Sequence, residues 1–314
     1  MTEHVTAEIR APRAVAEGTY RCSTPLIRPS KLTSKENGGV GKALSEGWNL
    51  NFSIGCPHAC SFCYVDAIVK RFGKTRYGDI VLNRWGDYFL IPENLDEAIR
   101  KTRWERWAGK EVMMSSTHDP YLPKLAKKAR QILEHALAAG VRICLQTRSF
   151  LVTRDFDLLE EYHDQVRLQV SIATVNRDLA RAIEPRVPSP ERRFEILRRA
   201  KDQGLITGVI LAPIFPRVST REDFGEDLRA MAARLGEIEP DHIYGESLHV
   251  RGDNVRLIEE SLGEELFLGR GFDKAAEKVF HRELHAVGLR GTWWPESNTH
   301  RGSPAPPQAD AQSG

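Results

Sequence analysis

Short apolar runs alternate with longer amphipathic stretches from Trp48 to Val287, and this alternation predicts repeated βα units around a parallel sheet. The predicted strands are Trp48 to Ile54, Glu111 to Thr117, Val141 to Thr147, Val166 to Ala173, Ile206 to Ile214 and His242 to Val250. Between and after them, helical spacing covers Tyr64 to Phe72, Lys124 to Ala139, Phe156 to Tyr162, Pro190 to Gln203, Arg221 to Leu235 and Asp273 to Val287. Six such units fit an α/β partial barrel, although an open doubly wound sheet has the same local pattern. The aromatic-apolar stretch Tyr77 to Ile91 is expected as a hairpin inserted after the first helix.

Within the strands the alternation assigns faces. On the third strand Ile143, Leu145 and Thr147 form one phase, and Arg142, Cys144, Gln146 and Arg148 the other. On the fourth, Leu168, Val170 and Ile172 oppose Gln169, Ser171 and Ala173. The apolar phase is expected to face the helices and the polar phase the lumen. Active sites of parallel α/β folds gather at the carboxyl ends of the strands.

The flanks read differently. Residues 1–46 are rich in Pro, Ser, Lys and Gly and are expected as an N-terminal extension; 47–291 form the barrel, and 292–314 a C-terminal segment with a disordered tail. The 314 residues carry 45 basic and 43 acidic side chains, a net charge of +2, which argues against nucleic-acid binding driven by bulk charge. With no long apolar run and no secretory leader pattern, a cytoplasmic protein is expected, without a membrane partner.

Five cysteines do not make a disulfide framework for a chain of this size, but three of them are Cys56, Cys60 and Cys63 in GCPHACSFCY. Thiolates at this spacing can wrap one metal centre from one loop. Zinc would want a fourth ligand, and His58, between two of the cysteines, is cramped for it. The other reading is an iron–sulfur cluster with one iron left open.

Cys56-x3-Cys60-x2-Cys63, with Phe62 before the third cysteine and a strand just upstream, resembles the radical S-adenosylmethionine (SAM) superfamily. A closer resemblance, to its spore photoproduct lyase-related group, runs through NFSIGCPHACSFCY, STHDPYLP, LQTRS, VSIAT and IEPRVPSPERR between about residues 48 and 215. It implies a partial (β/α)6 barrel, a [4Fe–4S] cluster on Cys56, Cys60 and Cys63, and SAM on the open iron. SAM cleavage to a 5′-deoxyadenosyl radical would follow, with an electron from a flavodoxin- or ferredoxin-type partner. Arg148 and Ser171 would then hold the SAM carboxylate, and Phe62 and Tyr64 would meet the adenine. Ser115, Ser116 and Thr117 would serve the amino group, in place of the glycine-glycine-glutamate pattern that many members show. The photoproduct lyase carries a hydrogen-donor cysteine on its second strand; Met113 to Asp119 has none, which sets thymine-dimer repair by that route in doubt.

Candidate catalytic groups are Cys144, as an inward thiol, His118 at the end of the second strand, and Glu246 on the sixth. Glu246 and His249 fall on opposite phases, so at most one is expected to face inward. Glu184 is expected to bind substrate or pair with Arg181 or Arg186, and Asp119 to meet ligand or form a turn. The substrate is a small molecule, a peptide or a nucleic acid. A zinc or electron-transfer module is the reading from a different class. The Tyr77 to Ile91 insert and TWWPESNTH are candidate substrate-selecting surfaces, with Trp293 and Trp294 alternatively closing the barrel's bottom.

Overall fold

The computed structural model describes residues 15–30 and 44–294. Its main sheet has eight strands: β2 (Ile27–Pro29), β3 (Trp48–Leu50), β5 (Glu111–Met114), β6 (Arg142–Thr147), β7 (Val166–Ser171), β8 (Ile206–Ile214), β9 (His242–Ser247) and β10 (Thr292–Trp293). They lie in the order β10-β9-β8-β7-β6-β5-β3-β2, and only β2 runs antiparallel to its neighbour. All six predicted strands are present as consecutive neighbours, and the linear order leaves two edges, as in a partial barrel. The flanking strands β2 and β10 pair into the same sheet. Several predicted strands stop early, β3 at Leu50, β5 at Met114 and β9 at Ser247, where loops take over at the carboxyl end.

Helices α1 (Val65–Tyr77), α3 (Ala126–Ala138), α4 (Phe156–Glu161), α6 (Pro190–Asp202), α7 (Phe224–Ile238) and α9 (Phe272–Ala286) match the expected segments to within a few residues. The α6 start follows directly from its sequence: Ser189 accepts the Arg192 N–H, and Pro190 occupies the first turn. Three short helices escape the periodicity: α2 (Leu95–Lys101), α5 (Arg177–Ile183) and α8 (Asn254–Leu262).

The two strand phases separate two cores. Ile143, Leu145, Leu168 and Val170 pack with α3 residues Ile132, Leu133 and Ala136 in the outer core. Met113, Cys144, Ile210, Ala212, Tyr244 and Trp294 form a second, inner cluster. These residues come from β5, β6, β8, β9 and the chain after β10, so the sheet curls far enough for distant strands to meet inside it. Burying one large aliphatic side chain contributes roughly 1.5–3 kcal/mol, and the outer core holds dozens.

The insert is not a hairpin. It forms a short turn at Asp79–Leu82 and then β4 (Tyr88–Pro92), which pairs in parallel with β1 (Ala16–Tyr20). Its mate lies in the leading segment, a long-range pairing that local pattern cannot reveal.

Candidate active site

The cysteine loop follows β3 directly. Its tight winding uses Ala59 at a φ of 56°, with the Ala59 N–H donated to the Cys56 carbonyl at 3.1 Å and Cys63 N–H to Cys60 O at 3.2 Å. The loop is braced from outside. Gly86 lies so close that a Cβ there would stand 2.3 Å from that of Ala59, and Gly55, at a φ of +81°, would place one 2.5 Å from the Tyr88 carbonyl. Ser61 N–H reaches Ile183 O at 2.9 Å, and the Arg186 guanidinium spans the Gly86 and Pro57 carbonyls at 2.7 and 3.4 Å.

All three thiols line one cavity of about 210 Å³ at the carboxyl ends of the strands. Burial pushes Cys56 and Cys63 up to about 12, and Cys60 in the same direction. Such thiols hold their protons until a cationic centre supplies the compensating charge, and a coordinating thiol is then deprotonated outright. Among the described residues no three His, Cys, Asp or Glu side chains gather as a single ion needs. A cubane places each cysteine on a different iron, so the triad fits a cluster better than a mononuclear ion. His58 faces Asp119 instead, with Nδ1 3.6 Å from Oδ2.

Asp119 knits the loop after β5 to the end of β6. It accepts the Tyr121 N–H at 2.8 Å, which is the expected turn, and also Thr147 Oγ1 at 2.7 Å and the Arg148 N–H at 2.7 Å. Arg148 lines the cavity, with its Cζ 5.6 Å from the Phe62 ring centre and Nε donating to Glu184 Oε1 at 3.0 Å. Burial works against its charge, but Cys60 and Glu184 more than offset this and raise its pKa. Ser171 also lines the cavity; its hydroxyl accepts from Gln146 Nε2 at 3.3 Å and its carbonyl from Arg193 Nη1 at 3.0 Å. Glu184 pairs with neither Arg181 nor Arg186: its other oxygen takes Arg193 Nη2 at 2.6 Å.

Ser115, Ser116 and Thr117 reach the cavity wall, but the first two are committed to protein partners. The Ser115 hydroxyl bonds the His118 backbone. Ser116 is held by Asn51 through its N–H at 2.9 Å and its hydroxyl at 3.0 Å, and its carbonyl accepts Tyr64 OH at 2.7 Å. Thr117 Oγ1 lies 3.3 Å from His118 Nδ1. His118 Nε2 is buried without a partner, and burial lowers its pKa to about 3, so the ring is neutral.

Glu246 and His249 both line the cavity, correcting the expectation that only one would. Because β9 ends at Ser247, strand alternation does not extend to His249, and its Nδ1 comes within 3.0 Å of Glu246 Oε1. Cys144 is inward, as its phase requires, but sits beneath the cavity lining, wholly buried among Met113, Ile210 and Tyr244. Trp294 stacks on Tyr244 at 4.7 Å and reaches the cavity, whereas Trp293 packs on Phe280 of α9. The rest of TWWPESNTH lies outside the described residues.

Sequence reasoning missed Glu184 as a bridge, Arg193, and the Asn51 brace on Ser116. Asn51 shares the polar phase of its strand with Asn49 and Ser53, so nothing in the sequence singled it out. The Glu184–Arg148 pair carried no signal either, since the two are 36 positions apart.

A cavity at the strand ends, lined by three loop cysteines and an arginine, defines a family, and comparison agrees. Residues 50–231 match the Radical SAM superfamily, over half of the chain. The chain belongs to that superfamily, a family of enzymes.

Among relatives, the uncharacterized protein ORF301 of Acidianus two-tailed virus is 56% identical over 286 residues, 91% of this chain and 95% of that protein. The uncharacterized protein MJ0683 of Methanocaldococcus jannaschii is 31% identical over 188 residues, 59% of this chain and 67% of that one. Among solved structures, a variant of spore photoproduct lyase with bound AdoMet and dinucleoside spore photoproduct has a TM-score of 0.62 at 16% identity, covering 93% of this chain and 86% of that. That likeness is one of fold. No helix among the described residues is long and apolar enough to cross a membrane.

Proposed function

We propose that the protein is a radical SAM enzyme in which Cys56, Cys60 and Cys63 hold a [4Fe–4S] cluster and the adjoining cavity takes SAM. The observation that supports this most is the convergence of three loop thiols, two buried and that of Cys63 half-buried, with Arg148 and Ser171 on one cavity. The chemistry such a cluster supplies is one-electron cleavage of SAM to methionine and a 5′-deoxyadenosyl radical, which abstracts hydrogen from a substrate C–H bond.

The chain's own residues have separable tasks in this reading. Arg148 presents a planar cation to the SAM carboxylate, with Ser171 as the neighbouring donor. Phe62 and Tyr64 flank the adenine, and Thr117 serves the amino group. Met113, Ile210, Ala212 and Trp294 give the inner wall an apolar face that excludes water from the reacting bond. His118, neutral, and Glu246, paired with His249, are the polar groups facing the substrate. The electron comes from a flavodoxin- or ferredoxin-type donor in the cytoplasm.

Anoxic reconstitution with iron and sulfide, followed by dithionite and SAM, tests the reading. About four irons per chain and 5′-deoxyadenosine as product are expected. Zinc as the bound metal with no 5′-deoxyadenosine would overturn it.

A further inference from the structure

The two residues proposed to hold the SAM carboxylate stand on neighbouring strands, Arg148 after β6 and Ser171 at the end of β7, and one buried pair outside the cavity lining touches both. Glu184 Oε1 accepts Arg148 Nε at 3.0 Å, and its Oε2 accepts Arg193 Nη2 at 2.6 Å. Arg193 Nη1 in turn donates to the Ser171 carbonyl at 3.0 Å. Glu184 is 2% and Arg193 0% exposed, so neither can swing away into solvent.

We infer that the Glu184–Arg193 pair is a positioning device for the SAM carboxylate: it fixes the guanidinium plane of Arg148 and the backbone of Ser171 relative to each other. This rests on the reading of Arg148 and Ser171 given above. A long arginine reaching into a cavity has several rotamers, and a planar fork recognises a carboxylate only when its plane is set. Arg148 lines the cavity, and using Nε for Glu184 leaves both Nη atoms with no protein hydrogen bond among the described residues, the edge a carboxylate needs. Arg193 serves a second end. It neutralises Glu184, which would otherwise approach the bound carboxylate as a buried like charge. Neither residue touches SAM itself in this assignment, so both act through Arg148 and Ser171.

The test measures binding of SAM and of 5′-methylthioadenosine, which lacks the amino-acid moiety, to the cluster-reconstituted protein by equilibrium dialysis without reductant. Glu184→Gln is expected to weaken SAM binding about ten-fold, the scale of one lost charge-assisted contact, and to leave 5′-methylthioadenosine binding unchanged. The combination E184Q/R193M removes the pair as a unit without leaving Arg193 as an unpaired buried cation, although Arg148 still loses its carboxylate partner; it answers the same question if E184Q alone does not fold. Unchanged SAM affinity in these variants would overturn the inference, as would equal weakening of both ligands, which marks a general loosening of the cavity. Arg148→Ala, measured alongside, separates the two layers. Unchanged SAM affinity in R148A overturns the carboxylate reading and this inference with it. Weakened SAM binding in R148A beside unaffected E184Q overturns only the positioning role.

Discussion

The lumen carries an arginine–glutamate pair at each end, and the two pairs are built differently. At the carboxyl end Arg148 meets a glutamate delivered by the loop after α5, shared with a second arginine from α6. At the amino end Arg167 of β7 donates to Glu111 of β5 at 2.9 Å and to Tyr244 OH of β9 at 3.1 Å. The lower pair therefore ties strands directly to one another across the lumen. The upper pair ties a strand end to a loop and a helix, and its arginine keeps an edge toward the cavity. Between them lies the apolar layer of Met113, Cys144, Ile210 and Ala212. The same ion chemistry serves as a floor at one end and as a holder at the other, and the difference lies in which elements supply the partners.

The comparison can be broken most severely at the top. Cys56→Ala, Cys60→Ala or Cys63→Ala is expected to bring bound iron and 5′-deoxyadenosine formation to background while the fold survives, as read by iron analysis and circular dichroism. Retained SAM cleavage in any of the three would remove that cysteine from the site. Arg148→Ala should keep the iron but weaken SAM binding about 10- to 100-fold, the worth of a hydrogen-bonded charge pair.

At the floor the signature should invert. Arg167→Ala leaves Glu111 partly buried without its cation and is expected to cost about 2 kcal/mol of stability, discounted from a fully buried pair because Glu111 keeps some solvent contact. Thermal melts would show the loss, while SAM affinity stays within about two-fold. A large drop in SAM affinity would erase the distinction between the ends.

A pH titration sharpens it further. Burial holds His118 near 3, below the ordinary 6.5, so between those values the unfolded chain binds the extra proton. Stability should fall as the pH drops through that window, by about 1.5 kcal/mol from pH 6.5 to 5, and His118→Gln should flatten the response. His249 runs the other way. Burial opposes its charge but Glu246 raises its pKa, so its contribution is full below 6.5 and is lost as the pH rises through its folded value. The smallest effect is expected for Cys144→Ala, about 1 kcal/mol of lost packing with 5′-deoxyadenosine formation unchanged. A clear fall in turnover would return this thiol to the reacting groups.

What the sequence revealed and concealed follows the range of the interactions. Strand positions and their two faces were legible, because an alternating pattern is local: the inward phase of β6 does contain Cys144 and Gln146, and Arg148 follows directly after the strand. The cysteine loop was legible because its three thiols lie within eight residues of one another. The β1–β4 pairing was not, since nothing at Tyr88 announces Ala16. The Glu184–Arg148 pair was hidden for the same reason, and His249 was misplaced because strand alternation was carried past Ser247. Residues proposed to act through chemistry were found by type and spacing; those proposed to act by holding another residue were found only in three dimensions.

Gly86 draws a last distinction. It belongs to the stretch before β4, not to the cysteine loop, yet its missing side chain makes room for the Ala59 turn. The turn that carries the cysteines is thus bounded by a separate stretch of chain. An added methyl at that position would displace the Ala59 turn, and the cysteines with it, in a chain that retains every thiol.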